Sequence, residues 1–161
     1  MAYEDLVRRA ARAIDLAESA ADTLERLWPE LPVWSGAQAA LDALAGRTRL
    51  AVVTNCSAHL GAIAAARLAT RWDCVVTAER AGFYKPDPRP YRLALATLGV
   101  APQDAAFVAG SGYDLIGTAA VGLRTYWHNR IGLARPAGVP PPAVESPTLD
   151  QLIPWLEGGL S

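Results

Sequence analysis

The stretch Arg49-Leu-Ala-Val-Val-Thr-Asn55 indicates the fold of this chain. Leu50 to Val53 form a short apolar run rich in β-branched residues, which is typical of a strand buried on both faces of a parallel sheet. Two small polar residues, Thr54 and Asn55, end the run, and a helical pattern follows at once. In open α/β sheets, ligands bind beyond the carboxyl ends of the strands. Thr54 and Asn55 are therefore candidates for holding an anionic group, although Asn55 or Ser57 could instead only cap the next helix.

Predicted strands and helices alternate along the rest of the chain. Residues 3–28 predict one long amphipathic helix, or two abutting helices, ended by Pro29 and Pro32. The alternation that follows, with short links, predicts an α/β fold with a doubly wound parallel sheet. Residues 1–32 are accordingly expected to form a helical segment, and residues 33–161 the α/β core. Strands are predicted over 50–54, 74–77, 105–109 and 124–127, and helices over 35–45, 58–69, 88–98, 114–121 and 148–156.

Capping residues mark several of these helix ends. Asp87 followed by Pro88 predicts a helix start, because the carboxylate can accept from free backbone N–H groups and proline fits the first turn. Gly99 and Gly122 predict helix ends. Two further starts are predicted by capping-box pairs, namely Ser35 with Gln38 and Thr148 with Gln151.

Composition limits the class of protein. A chain of 161 residues is long enough for one domain with a buried core. The net charge of −1 gives no reason to expect nucleic acid or a membrane surface as a partner, and no apolar stretch is long enough to cross a bilayer. The two cysteines lie in or beside apolar runs, which predicts buried, reduced thiols. The start of the chain lacks the features of a signal peptide, so a cytoplasmic location is expected.

Polar residues follow three of the predicted strands. Thr54 and Asn55 follow the first, and Lys85 follows the second after a short excursion. Ser111 and Asp114 follow the third. Because the carboxyl ends of parallel strands meet at one edge of the sheet, we expect these side chains to line one crevice. Lys85 is the single lysine among fifteen basic residues, and an ammonium in that crevice can offset the charge of an anion. Taken alone, Lys85 is equally a surface residue and Asp114 a helix cap.

The order and spacing of these residues resemble the haloacid dehalogenase-like hydrolases. Thr54-Asn55 is similar to the second motif of that family, and Lys85-Pro-Asp-Pro88 resembles the third. Phe107-Val-Ala-Gly-Ser-Gly-Tyr-Asp114 resembles the fourth. The tail Trp127-His-Asn-Arg130 is similar to that of the 2-haloacid dehalogenase branch. The resemblance covers about residues 33 to 157 and implies the Rossmann-like core of this family, preceded by the end of a helical cap.

The resemblance also implies a mechanism. In the family an aspartate attacks the substrate and forms an ester, which water then hydrolyses. Carried over to this chain, Thr54, Asn55 and Ser111 would bind a small anionic substrate. Lys85 would orient the nucleophile and offset charge, and Asp114 would position the hydrolytic water.

The resemblance leads us to expect that the protein needs no cofactor. In phosphatase relatives an acidic residue stands where this chain has Gly110, and together with the residue at Asp114 it helps to hold Mg²⁺. The absence of that carboxylate weakens the case for Mg²⁺ and favours the metal-free dehalogenase branch. Mg²⁺ bound through Asp114 stays open for a phosphatase-like activity.

The nucleophile of the family has no counterpart in the sequence. Its motif is a strand ending in aspartate, ahead of residue 33, whereas Asp5, Asp15 and Asp22 lie on the polar face of the first predicted helix. The first, central strand of the family's sheet is therefore expected to be missing. We expect the vacancy to be closed by direct pairing of its neighbours, by a swapped segment, or by a second polypeptide, because unpaired buried backbone is costly.

Two functions follow from these observations. The first is a haloacid dehalogenase-like hydrolase of the 2-haloacid dehalogenase or small-molecule phosphatase type, in an amino-terminally incomplete chain that is inactive alone. Its expected partners are a small anionic substrate and either a second copy of the chain or the missing segment. The alternative is a non-catalytic α/β interaction module that dimerises through the helix of residues 3–28. A receiver-like or nucleotide-binding domain is disfavoured, because no acidic cluster or glycine-rich phosphate loop follows the first strand.

Overall fold

The computed structural model describes residues 3–158 and shows an α/β chain with parallel sheets. The predicted fold class is confirmed. The helices are α1 (Tyr3–Ala13), α2 (Glu18–Leu27), α3 (Ala37–Leu44), α4 (Ala58–Ala66), α5 (Ala78–Ala81), α6 (Pro88–Leu98), α7 (Asp114–Val121) and α8 (Leu152–Gly158), with short 3₁₀ turns at Trp28–Glu30 and Pro102–Asp104. The strands are β1 (Ala51–Thr54), β2 (Cys74–Thr77), β3 (Ala106–Ala109), β4 (Arg124–His128) and β5 (Val144–Ser146).

The strands form two parallel sheets. In the first, β1 pairs with β2, so that Ala51 lies opposite Cys74 and Thr54 opposite Thr77. In the second the order is β3-β4-β5. Direct pairing of β1 with β3 was one expected way of closing the sheet, and it is not found within residues 3–158. Residues 3–30 are mainly helical, so they do not supply a central strand either.

The amino-terminal segment is a pair of helices. Asp15 adopts a φ of +56° between α1 and α2 and so breaks the helical path. Arg8 on α1 bonds across the pair to Asp22 and Glu25 on α2, both at 3.2 Å. The segment therefore forms two helices, which confirms the second of the two predicted arrangements. The turn at Asp15 lets the two helices pack side by side. Ile14, near the tip, is 68% exposed.

Helix α6 covers the first sheet, as its capping residues predict. The Asp87 side chain accepts from the backbone N–H of Arg89, and Gly99 ends the helix with a φ of +65°. Ala94 of α6 packs with the buried Cys74 and Val76 of β2, and Val53 of β1 packs against this cluster. The burial of this apolar surface holds α6 on the sheet, and the loop in front of α6 is thereby fixed beside the end of β1.

The second sheet has its own core under α7. Ala109, Leu115 and Trp127 form this cluster and are each at most 2% exposed, with Phe107 packed against it. Helix α7 packs closely against α6. A Cβ on Gly117 of α7 would overlap the ring of Tyr91 and the carbonyl oxygen of Pro86, which shows how near the two helices are. The contact between α6 and α7 joins the two sheets.

Some local predictions are wrong. The residue that caps the start of α3 is Gly36 and not Ser35, so no side chain caps this helix. Gln38 instead forms hydrogen bonds with Asp42 and with the backbone of Ala69. The Thr148 hydroxyl donates to Asp150. Neither capping box therefore forms as predicted, because other partners compete for the same polar groups.

The strand β5 (Val144–Ser146) was not predicted. It spans three residues after a proline-rich loop, and so short a segment has too little periodicity to be recognised.

Two predictions from composition can be compared with the structure. Cys56 and Cys74 are buried and free, as expected. Among residues 3–158, none of the helices combines the length and the apolar character that crossing a membrane requires.

Candidate active site

Asn55 connects the end of β1 to the loop that carries Lys85. The Asn55 Nδ2 donates to the carbonyl oxygen of Lys85 at 2.9 Å, and the Lys85 N–H donates to Asn55 Oδ1 at 2.6 Å. The amide thus satisfies both backbone groups of a residue thirty positions away. The sequence predicts a substrate-binding role for Asn55, and in the structure both of its polar atoms hold Lys85 in place.

Lys85 and Asp114 form an ion pair at the carboxyl edges of the two sheets. Lys85 Nζ lies 3.0 Å from Asp114 Oδ1, and the side chains are 16% and 7% exposed. The hydroxyl of Tyr91 on α6 donates to the same oxygen at 2.8 Å. Asp114 is the first residue of α7, where the helix dipole favours a negative charge. The predicted catalytic pair is thus brought together from two different sheets.

Aromatic rings pack against one side of the Lys85–Asp114 ion pair. Lys85 Nζ lies 5.6 Å from the centroid of the Phe107 ring on β3, within reach of a cation–π interaction. The Tyr91 ring packs edge-on against Phe107 at 5.2 Å. Burial, together with the neighbouring Asp114 carboxylate, raises the pKa of Tyr91 far above its usual range. Tyr91 therefore remains a neutral hydrogen-bond donor at every physiological pH.

Two protein carboxylates occupy the start of helix α4. Glu79 accepts from the backbone N–H of Ala58 at 2.6 Å, and the Ser57 hydroxyl donates to Glu4 at 2.5 Å. Ser57 also caps the helix by accepting from the Leu60 N–H. Three donors in the first turn of α4, the Ala58 N–H, the Leu60 N–H and the Ser57 hydroxyl, therefore already have protein partners. Lys85, on the other side of the loop after β1, offers a cation to an anionic ligand.

The other predicted residues lie nearby with less defined contacts. Thr54 is half-buried at the end of β1, and its Oγ1 lies 3.4 Å from the Sγ of Cys56. Burial raises the pKa of Cys56, so its thiol stays protonated at neutral pH. Ser111 is exposed in the loop after β3, and its hydroxyl accepts from the Tyr113 N–H.

Several residues of the site were missed by the sequence reasoning. Tyr91, Phe107 and Glu4 all contact site residues, and none was proposed. A signal existed for Tyr91, which shares one face of its helix with Ala94 and Leu95 and so was placed to be buried. A buried tyrosine hydroxyl usually has a hydrogen-bond partner.

The residues present do not fit a magnesium site. Asp114 Oδ1 is already bound by the Lys85 ammonium and by the Tyr91 hydroxyl, and residue 110 is glycine. Within the described residues 3–158, no three His, Cys, Asp or Glu side chains are grouped so that they could hold a metal ion. Mg²⁺ prefers carboxylate oxygens in octahedral geometry.

The sequence matches a known family. The profile of the haloacid dehalogenase-like hydrolases matches residues 2–122. The chain is 32% identical over 142 residues to (S)-2-haloacid dehalogenase 1 of Pseudomonas sp. (strain CBS-3), a match that covers 80% of this chain and 62% of that protein. It is 31% identical over 132 residues to phosphoserine phosphatase of Thermus thermophilus, covering 80% and 53% respectively. The chain thus spans between about half and three fifths of the length of these relatives.

The fold agrees with the sequence match. The structure of L-2-haloacid dehalogenase from Xanthobacter autotrophicus superimposes with a TM-score of 0.86 and covers 98% of this chain and 77% of its own, at 20% identity. At that identity the likeness concerns the fold alone. These matches do not favour the alternative of a non-catalytic interaction module. The chain belongs to the haloacid dehalogenase-like hydrolases, in the dehalogenase-like branch of that superfamily.

Proposed function

We propose that this chain supplies the charge-stabilising residues of a hydrolase that acts on small 2-haloacids. The observation that carries the proposal is the buried ion pair of Lys85 and Asp114, held beside the end of β1 by Asn55. In open α/β sheets, ligands bind beyond the carboxyl ends of the strands, where this ion pair lies. Gly110, which stands where phosphatase relatives carry an acidic residue, favours a haloacid over a phosphate ester.

In this proposal Lys85 stabilises negative charge during the first step of the reaction. An aspartate carboxylate attacks the carbon that bears the halogen, the new C–O bond forms as the carbon–halogen bond breaks, and halide leaves. The ammonium of Lys85 orients the attacking carboxylate and offsets the charge of the substrate carboxylate. Thr54, at the carboxyl end of β1, offers a hydroxyl to that substrate carboxylate.

Asp114 acts in the second step, the hydrolysis of the ester. Once the ester has formed, its hydrolysis needs a positioned water, and a carboxylate within one water of the ester can accept the proton. Tyr91 and Lys85 both bind Oδ1. We assign Oδ2 to the water.

The attacking aspartate belongs, in this proposal, to a segment outside residues 3–158. Asp114 is the one aspartate within those residues that contacts Lys85, and it is held by two donors. A carboxylate that already accepts from an ammonium and a phenol is a poor nucleophile. The chain alone is therefore expected to bind the substrate without turning it over.

Binding of the anion tests the function. In NMR titrations, 2-chloropropionate should shift the amide signals of residues 54–58 and 85–87. The neutral 2-chloropropionamide should leave them in place, and Lys85→Met should abolish the response to the acid. Arg26→Met, which removes an exposed arginine on α2, is the matched control and should bind like the wild type. Equal shifts with the amide, or none with the acid, would contradict the proposal. A stronger response to phenyl phosphate than to 2-chloropropionate would indicate a phosphatase instead.

A further inference from the structure

A groove lies at the amino ends of β1 and β2, at the edge of their sheet opposite to Lys85. Its volume is about 400 Å³, within the range of sites that bind small molecules. Leu50, which precedes β1, lines the groove, whereas Thr54 ends the same strand. These two positions are about 13 Å apart along an extended strand. The groove is therefore a different place from the candidate active site.

Three arginines line this groove. Arg47 and Arg49 come from the loop between α3 and β1, and Arg71 comes from the loop between α4 and β2. All three are exposed. Asp73 is the one carboxylate among the described residues that line the groove, and its Oδ2 accepts from the backbone N–H of Leu50 at 2.9 Å. Positive side chains thus outnumber negative ones here, although the whole chain has a net charge of −1.

Two of these arginines are held by other parts of the chain. Arg49 Nη1 donates to the carbonyl oxygen of Leu98, at the end of α6. Arg47 Nη2 lies 2.8 Å from Glu157 Oε1 on α8. A guanidinium has five N–H donors in a planar fork, so one such contact fixes its direction and leaves donors for a ligand. Because Glu157 offsets the charge of Arg47, the excess positive charge of the groove rests on Arg49 and Arg71.

Arg71 and Thr70 have polar groups that a ligand can satisfy. Within residues 3–158, the Arg71 side chain has no carboxylate partner. In the same part of the chain, the Thr70 hydroxyl oxygen is buried without a hydrogen-bond partner, which is unfavourable. Rotation about the Cα–Cβ bond of Thr70 can turn this hydroxyl towards a ligand in the groove. Arg49, Thr70 and Arg71 thus offer donors from two different loops to one ligand.

We propose that this groove binds a small polyanion, a molecule that carries two or more phosphate or carboxylate groups. Two separate guanidinium groups call for more than one anionic group, and each fork binds a pair of phosphate or carboxylate oxygens. A net charge of −1 provides no wider basic surface for an extended polyanion such as nucleic acid. The site is independent of Lys85 and of the proposed function.

Binding of inorganic pyrophosphate to the full chain tests the proposal. An NMR titration follows the backbone amide signals and the arginine Nε–H signals at a constant ionic strength of about 0.15 M, where distant exposed charges are screened. The signals of residues 47–50 and 70–73, and the Nε–H signals of Arg49 and Arg71, should shift and reach saturation. Addition of 2-chloropropionate, the ligand proposed for the Lys85 site, should not reverse these shifts. Succinate in place of pyrophosphate compares carboxylate with phosphate groups.

One substitution in the groove and one outside it complete the test. Arg71→Met should weaken the binding of pyrophosphate by about tenfold, because charge-assisted hydrogen bonds are lost. The matched control is Arg26→Met, which removes an exposed arginine on α2 and should bind like the wild type. Since Arg71 is itself exposed, its variant should fold, and urea unfolding checks this.

The outcomes separate this site from the candidate active site. Saturable shifts around the groove that weaken in Arg71→Met support the proposal, and the tighter of the two anions identifies the preferred group. A lack of saturation with both anions, or equal affinity of the Arg71→Met variant and the wild type, overturns it. Reversal of the shifts by 2-chloropropionate would place the anion at Lys85 and also overturns it. If pyrophosphate binds in the groove but 2-chloropropionate binds nowhere, the groove stands and the proposed function fails.

Discussion

Lys85 Nζ and Asp114 Oδ1 lie 3.0 Å apart, although the two residues follow strands of different sheets. Replacing Lys85 by methionine leaves the Asp114 carboxylate buried without its cation. We expect a loss of about 3 kcal/mol in the free energy of unfolding, as for one partner of a largely buried ion pair. Urea unfolding measures it, and the exposed Arg26→Met should change it by less than about 0.5 kcal/mol. Equal losses in both variants would show that the pair contributes nothing specific.

Asn55 should matter more for stability than Ser111, although the sequence suggests the same role for both. Asn55→Ala removes two hydrogen bonds to the backbone of Lys85, each worth about 1 kcal/mol. Ser111 is exposed and accepts a single bond, from the Tyr113 N–H, so Ser111→Ala should cost about 0.5 kcal/mol or less. Thermal and urea unfolding of both variants, compared side by side, checks the difference. A larger loss for Ser111→Ala would mean that the Asn55 contact is not a structural one.

Tyr91 should make stability depend on pH in the alkaline range. Burial, and then the Asp114 charge, raise its pKa in the folded chain, whereas an unfolded tyrosine ionises near pH 10. The unfolded state therefore releases its proton first, and the free energy of unfolding falls as pH rises above about 10. At pH 7 the contribution of Tyr91 is fully present.

The variant Tyr91→Phe isolates this effect. It should lose about 2 kcal/mol at pH 7, because a hydrogen bond to a charged group is removed. Between pH 9 and 11.5 its stability should fall less steeply than that of the wild type. Tyr3 and Tyr84 also have raised pKa values and keep part of the slope in both proteins. Parallel slopes for the two proteins would show that Tyr91 ionises freely in the folded state.

Gly117 should tolerate no larger residue. A Cβ there would overlap the Tyr91 ring and the carbonyl oxygen of Pro86, and a backbone oxygen cannot move aside cheaply. Gly117→Ala is expected to destabilise the chain by about 2 kcal/mol or more and to separate α6 from α7. The matched control is Gly158→Ala in α8, which has open space around the site of its Cβ and should be neutral or slightly stabilising. Similar melting temperatures for the two variants would contradict the tight contact.

The sequence was most informative where local chemistry determines structure. The bounds of β2 and α7 were predicted to the residue, because a β-branched run and a closing glycine define them. The start and end of α6 followed from Asp87 and Gly99. The break at Asp15 was not located, because a left-handed aspartate has no distinct local pattern.

The site was predictable in position and less so in detail. Three polar strand ends indicated where Lys85 and Asp114 would meet. The use of both Asn55 amide atoms on the backbone of Lys85 depends on a contact across thirty residues, which no local pattern reveals. The carboxylates at the start of α4 come from Glu4 and Glu79, on two other helices. Their positions depend on packing between helices, so no local pattern predicts them.

The most direct test of the account is a search for an ester on aspartate. The pure chain is incubated with 2-chloropropionate in ¹⁸O-labelled water, and each of its aspartate-containing peptides is then examined by mass spectrometry. The account predicts unmodified aspartates and no ¹⁸O in any carboxylate, because the proposed function places the attacking group outside residues 3–158. An ester or ¹⁸O on Asp114, or on any other aspartate of this chain, would contradict it.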